Sequence, residues 1–261
     1  MGPLQIEWEM GYNQSVMESA LHLSGVEPIE LLPSHIGILM TDQDIFLNTM
    51  EIYVQHQYEE MTTLYTLNNT NSNGEYSPFS SYLEMDGTSV IAVKLSDKDG
   101  FESATLEKTY KKVRPAKAIK RPRNIKKGLA YSSYEGIFDS VPDFSSLIPL
   151  KKGSSQRLNL DEFGQRLDHF AIQYKGLISI PKTRIYTFHL KSDDGSKLYI
   201  NNQLIIDNDV SHDSTTKTGM VALEKGFHPV LIDYFENFLE EILELDYSVP
   251  HIKKSPAIFW H

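Results

Sequence analysis

Two adjacent aspartates, Asp193 and Asp194, are the residues of this chain best suited to chemistry. They sit in Ser192-Asp-Asp-Gly-Ser196, between Ile185-Tyr-Thr-Phe-His-Leu190 and Leu198-Tyr-Ile200. Both flanks alternate in the strand period, so the pair lies in a loop between two strands. Gly195 is free there to take a positive φ. Neighbouring side chains on a regular strand point to opposite faces, so adjacent carboxylates converge only where the backbone is distorted. A distorted loop with two converging carboxylates suits a hard cation such as calcium. Calcium takes about six to eight oxygens, so further ligands are needed. Asp207-Asn-Asp209, after the next strand, supplies them: Asn208 is the preferred third protein ligand, with Asp207 and Asp209 as rivals. The competing reading of each is turn chemistry, with side-chain oxygens accepting from local amides. His212 is a poor ligand for a hard cation.

A catalytic reading fares badly. Glycosidase carboxylates face each other across roughly 5–10 Å, and adjacent aspartates are too close for that. Glu240-Glu241 falls in a charged turn and is expected to be solvated. No nucleophile elbow, zinc-protease helix or phosphate loop is present. The aromatics Tyr186, Tyr199, Tyr234 and Phe235 lie on alternating strands, where core packing outweighs a sugar platform.

The chain has 261 residues, enough for two domains, and 40% of them are hydrophobic, enough for a packed core. The absence of cysteine excludes disulfides and thiolate metal sites. A net charge of −10 argues against a general nucleic-acid binder. No apolar run is long enough to span a bilayer, and the first residues show neither a signal peptide nor a myristoylation signal.

The elements around the aspartates extend far along the chain. Tyr134-Glu-Gly-Ile-Phe138, Val141-Pro-Asp-Phe144, Phe170-Ala-Ile-Gln-Tyr-Lys-Gly-Leu-Ile-Ser-Ile-Pro181, Ser192-Asp-Asp-Gly-Ser196, Asp207-Asn-Asp209, His212, Gly226-Phe-His-Pro229 and Tyr234-Phe-Glu236 follow in order. This series resembles the protective antigen-type (PA14) domain, a β-sandwich/barrel module of glycoside hydrolases, adhesins and toxins. The resemblance implies carbohydrate binding. It also implies a cis peptide between Asp193 and Asp194, and a calcium ion that the sugar hydroxyls touch. Asp193, Asp194, Asp207, Asp209 and His212 are then the candidate carbohydrate-binding residues.

Upstream, Ile36–Met40, Met50–Val54, Thr63–Leu67, Ser89–Leu95 and Thr105–Tyr110 read as short strands. Their spacing suggests an immunoglobulin-like sandwich. Leu64-Tyr-Thr-Leu67, Ser80-Ser-Tyr82, Val90-Ile-Ala-Val-Lys94 and Gly100-Phe-Glu-Ser103 are similar to the fibronectin type III-like domain that closes many β-N-acetylhexosaminidases. Asn68-Asn69 stands where that family has Asp-Gly. Lys111 to Lys127 holds nine of the 25 basic residues and no acidic one, leaving 16 basic against 35 acidic residues elsewhere. It is expected to be an extended linker, mostly exposed or laid along the acidic domains.

The expectation is an all-β chain of two β-sandwich domains. Residues 1–30 are a leader or the remnant of an upstream domain, 31–113 a fibronectin III-like spacer, 114–127 a basic linker and 128–261 the protective antigen-type domain. The chain is expected to be a non-catalytic accessory fragment of a secreted bacterial glycoside hydrolase. Its partners would be a glycan and an upstream catalytic domain, in an extracellular or periplasmic setting, with calcium as cofactor. The alternative is a structural or protein-interaction module without a sugar site.

Overall fold

The computed structural model describes residues 38–41, 43–56, 58–68, 75–158, 160, 168–238, 241–249 and 252–261. The expected leader and Glu240 lie outside these residues. Among the described residues every regular element is a strand, apart from one 3-10 turn at Phe144–Ser146. No helix is long and apolar enough to cross a membrane.

The first strands are β1 (Leu39–Met40), β2 (Ile45–Phe46), β3 (Met50–Ile52), β4 (Val54–Gln55), β5 (Thr62–Leu67), β6 (Ser77–Pro78), β7 (Leu83–Met85), β8 (Ser89–Ser96) and β9 (Leu106–Lys112). They are followed by β10 (Leu129–Glu135), β11 (Lys151–Ser155), β12 (Phe170–Ile180), β13 (Arg184–Asp193), β14 (Ser196–Ile200) and β15 (Gln203–Asn208). The last are β16 (Thr215–Leu223), β17 (Gly226–Glu236), β18 (Ile242–Val249), β19 (Ile252–Pro256) and β20 (Phe259–Trp260). The chain divides into two compact units. One comprises Met1–Asp42, Glu51–Met85 and Ser89–Thr109; the other comprises Gln43–Met50, Asp86–Thr88 and Tyr110–His261.

In the first unit β5 pairs antiparallel with β8 and with β6. Ile91, Val93 and Leu95 alternate along β8 and are fully buried. The period-two pattern of Ser89–Leu95 is therefore a strand with one inward face.

The second unit carries the aspartates. One sheet runs β11-β10-β12-β17-β14-β15, with β20 beside β12; the other runs β16-β13-β18-β19. Their inner faces meet in a single core. Ile172, Tyr174, Ile232, Tyr234, Leu198 and Ile206 come from the first sheet, and Tyr186, Phe188, Leu190, Leu223 and Leu245 from the second. The Tyr186, Phe188, Leu190 alternation thus marks the buried face of β13. A smaller cluster, Tyr134, Phe144, Ala171 and Phe235, lies on the opposite face of the larger sheet under Phe138, Val141 and Leu147. Asn201 and Asn202 both take positive φ, 53° and 63°, and make the tight turn between β14 and β15 that the sequence indicates.

The basic stretch is extended except for a turn at Arg123–Asn124, where Asn124 takes a φ of 61°. Its backbone is pinned within this unit by bridges from Ala116 to Leu223, Ile119 to Phe227 and Lys127 to Trp260.

Candidate functional site

Strand β13 belongs to the smaller sheet and β14 to the larger, so Asp194-Gly195 is the point where the chain crosses between sheets. The Asp193–Asp194 peptide is cis. Gly195 does not use its freedom to take a positive φ. Glycine is required there by space. A Cβ would lie 2.3 Å from the Phe235 ring and 2.9 Å from the Val210 carbonyl oxygen.

A third carboxylate completes the group. Glu236, the last residue of β17, brings an oxygen within 4.8 Å of ligand oxygens of both Asp193 and Asp194. Register explains the meeting: Ser196 of β14 pairs with Tyr234, two residues before Glu236. Among the described residues no lysine, arginine or histidine makes an ion pair with any of the three. Repulsion and burial therefore act on them without an ion pair to offset them, and the one cationic charge opposing the rise at Asp193, that of His212, is the weakest influence on it. Burial, then the charge of Asp194, raises the pKa of Asp193, against a hydrogen bond from the Ser214 backbone. Burial pushes Glu236 up to about 8; the Tyr234 hydroxyl opposes this and the two aspartates add to it.

The pair is fixed by its surroundings. Asp194 is buried, its Oδ1 accepting from the His212 amide and its Oδ2 from the Asn237 amide, both at 3.0 Å. The Tyr234 hydroxyl lies against the Asp193 carbonyl oxygen and 2.6 Å from Glu236 Oε2. The Asp194 amide donates to the same Glu236 oxygen. Glu236 Oε1 is buried without a partner.

Asn208 is fully buried. Its amide nitrogen donates to Ser192 Oγ at 2.9 Å, while its Oδ1 is likewise buried without a partner. The clustered carboxylates of Asp193, Asp194 and Glu236, with the unpartnered Asn208 Oδ1 as a further oxygen, are an all-oxygen donor set, which is the chemistry calcium selects. The residues present therefore fit such an ion. Asp193, Asp194, Asn208 and Glu236 would hold it, and it would supply the positive charge that the chain does not.

The remaining candidates fall elsewhere. Asp207 precedes Asn208 on β15, so the period of two turns it to the exposed face. Its Oδ1 accepts from the Asp209 amide. Asp209 Oδ1 accepts from the amides of Val141 and Val210, and its Oδ2 pairs with Lys197 Nζ at 2.5 Å. Burial would raise its pKa, but the Lys197 bond and the two amides win and hold it low. The imidazole of His212 reaches the carbonyls of Asp213 and Asn208. Tyr186, Tyr234 and Phe235 are core, and Tyr199 is half-buried. Glu241 is not the solvated acid expected of a charged turn, since its Oε1 is buried.

Asn237 joins three loops at the rim. Its side chain exchanges hydrogen bonds with the Phe138 backbone and reaches Ser211 Oγ, while its amide holds Asp194. Ile137, Val210 and Phe238 stand exposed on these same loops, and Phe238 packs edge-on against His169 at 4.6 Å.

Residues 126–259, just over half of the chain, match the sequence profile of the PA14 domain. The chain belongs to the PA14 domain family. No curated protein sequence matches it. An anti-sigma factor domain-containing protein is similar in structure at 16% identity and a TM-score of 0.43, covering 79% of this chain and 81% of its own. The epithelial adhesin 9 A domain of Candida glabrata, solved with Galβ1-4GlcNAc, shows 11% identity and a TM-score of 0.45 over 56% of this chain and 94% of its own. A PA14 sugar-binding domain from an RTX adhesin shows 13% identity and a TM-score of 0.42 over 51% and 95%. Likenesses of this degree carry no ligand chemistry from one PA14 domain to another.

Proposed function

We propose that the PA14 domain of this chain binds carbohydrate at the rim formed by Asp193–Asp194, through a calcium ion. One observation carries the reading. Three carboxylates, Asp193, Asp194 and Glu236, gather their oxygens within 4.8 Å, and among the described residues no cation forms an ion pair with them. Like charges at this distance are costly unless a proton or a cation joins them. A calcium ion there would keep coordination positions for the vicinal hydroxyls of a sugar, which are neutral oxygen donors of the right kind. Exposed Phe238, next to Asn237, offers an apolar surface for a sugar ring.

The site does not support glycoside hydrolysis. Glu236, the acid whose raised pKa would suit proton donation, is wholly buried, with Tyr234 and the Asp194 amide on one oxygen. In this proposal the chain is the accessory region of a secreted bacterial glycoside hydrolase. Residues 31–113 are its fibronectin III-like spacer, and an upstream catalytic domain acts on the glycan that the PA14 domain retains.

A thermal melt in EDTA and in millimolar calcium tests the ion. At about a hundred times Kd the ion contributes ~2.7 kcal/mol, a midpoint rise of roughly 5–10 °C. A glycan array with and without calcium then tests the sugar. No midpoint shift sinks the calcium site. A shift without any glycan retained favours a calcium-stiffened structural module.

A further inference from the structure

We propose that the segment Lys111–Lys127 is a second binding surface of this chain, for an acidic polysaccharide bearing about one carboxylate per sugar. All nine of its cations are exposed: Lys111, Lys112, Arg114, Lys117, Lys120, Arg121, Arg123, Lys126 and Lys127. Among the described residues none of them makes an ion pair, although acidic residues outnumber basic ones 35 to 16 elsewhere. Of the two arrangements expected of the linker, mostly exposed or laid along acidic domains, the exposed cations fit the first. Backbone and aromatic contacts hold the segment. Ala116, Ile119 and Lys127 bridge to Leu223, Phe227 and Trp260. The Ala118 amide donates to Glu224, and the Arg121 guanidinium lies 5.7 Å from the Phe227 ring and 6.0 Å from the Trp260 ring.

A pinned backbone whose cations make no ion pair among the described residues is a preorganised array, since the main entropic cost of ordering it is met on folding; Lys112 Nζ alone is drawn to a backbone oxygen, that of Asp86. The spacing of charge selects the partner. Seventeen residues span at most ~60 Å and the turn at Arg123–Asn124 shortens that, so the nine cations fall at most about 6 Å apart along the chain. Duplex DNA presents a charge every ~1.7 Å, far denser than this strip can match. Single-stranded nucleic acid calls for stacking aromatics among the cations. Residues 111–127 contain none, and the nearby Phe227 and Trp260 rings are half-buried. A polyuronate chain, with one carboxylate on each ring and hydroxyls between, fits both the sparse charge and the lack of stacking.

The test uses the whole chain in EDTA, so that the aspartate site plays no part and the two proposals fail separately. Polygalacturonate is the probe, dextran the uncharged control and a DNA duplex the competing polyanion. The expected result is binding of polygalacturonate but not dextran, weakening steeply as salt rises. Lys117→Ala, Lys120→Ala, Arg123→Ala and Lys126→Ala combined should weaken it at least tenfold with an unchanged melting midpoint. The charge-keeping combination Lys117→Arg, Lys120→Arg and Lys126→Arg should bind as the parent does. No binding by the folded parent at low salt, or parental affinity in the fourfold alanine variant, overturns the proposal. Tighter binding of the duplex than of polygalacturonate overturns the assignment of the partner.

Discussion

Two acidic groups lie three residues apart on the same strands, and only one of them contains a cation. At the rim, Asp193, Asp194 and Glu236 face one another with no basic partner. Lower on β17, Asp233 pairs across the sheet with Gln173 on one side and Lys197 on the other, and Lys197 in turn pairs with Asp207. Lys197 closes on Asp209, Gln173 Nε2 donates to Asp233 at 2.9 Å, and amides of Val141 and Val210 complete Asp209. The lower group is electrically answered from within the chain. The upper group is answered by hydrogen bonds from backbone amides and the Tyr234 hydroxyl, and leaves Glu236 Oε1 and Asn208 Oδ1 bare. Sequence proximity and residue type do not distinguish the two. The presence of an in-chain cation does, and it separates acids that hold a loop from acids that await a ligand.

The largest effect expected from this contrast is on calcium. Asp193→Ala should abolish the midpoint rise of roughly 5–10 °C between EDTA and millimolar calcium. Asp209→Asn should lower the midpoint in both solutions equally and leave the difference intact. If Asp209→Asn removes the calcium effect and Asp193→Ala preserves it, the two groups have been assigned the wrong way round.

A second, smaller effect falls on stability alone. Lys197→Met removes the cation from a partly buried pair and leaves Asp209 and Asp233 with a nearby charge unmet. A loss of about 2–3 kcal/mol is expected in denaturant titrations, close to that of breaking a buried pair by one partner. The calcium response should survive. A loss below ~0.5 kcal/mol would place this pair with ordinary surface ion pairs, and the contrast would weaken.

Much of this was legible in the sequence. Alternation along Ile185–Leu190 located β13 and its inward face, and the Asp193–Asp194 pair was placed between two strands, which the structure assigns to different sheets. Glu236 was not assigned a role, although the signal was present. Ile232 and Tyr234 face inward, so the period of two puts Glu236 inward as well, and an inward carboxylate is uncommon without a partner. Strand β16 was missed because Thr215-Thr-Lys-Thr-Gly219 shows no apolar alternation; it is exposed along that half and buried only at Val221–Leu223. Gly195 was read as free to take a positive φ, whereas its reason is the Phe235 ring, a contact between residues 40 positions apart that no local pattern encodes. The fate of Asp209 was equally hidden, because its partners Val141 and Lys197 arrive from other elements.

The smallest effect concerns Asp233 and turns on sign. Burial raises its pKa to about 6 from 3.8, against the Gln173 bond and the charges of Lys175 and Lys197. The folded state thus holds this proton more tightly than the unfolded chain does. The resulting stability is complete below the unfolded value and is lost as pH rises through about 6. Glu236 acts with the same sign up to about 8, so the effect of Asp233 must be taken as a difference between variants. Asp233→Asn removes the titration and keeps an oxygen to accept from Gln173. In calcium-free solution the variant should gain on the parent by about 1–2 kcal/mol between pH 4 and pH 7. Glu236→Gln should instead flatten the limb above pH 6, and should weaken the calcium response as well. A difference between Asp233→Asn and parent that stays constant from pH 4 to pH 7 would show that Lys197 already satisfies Asp233. Both groups of acids would then differ in their cation by more than the structure implies.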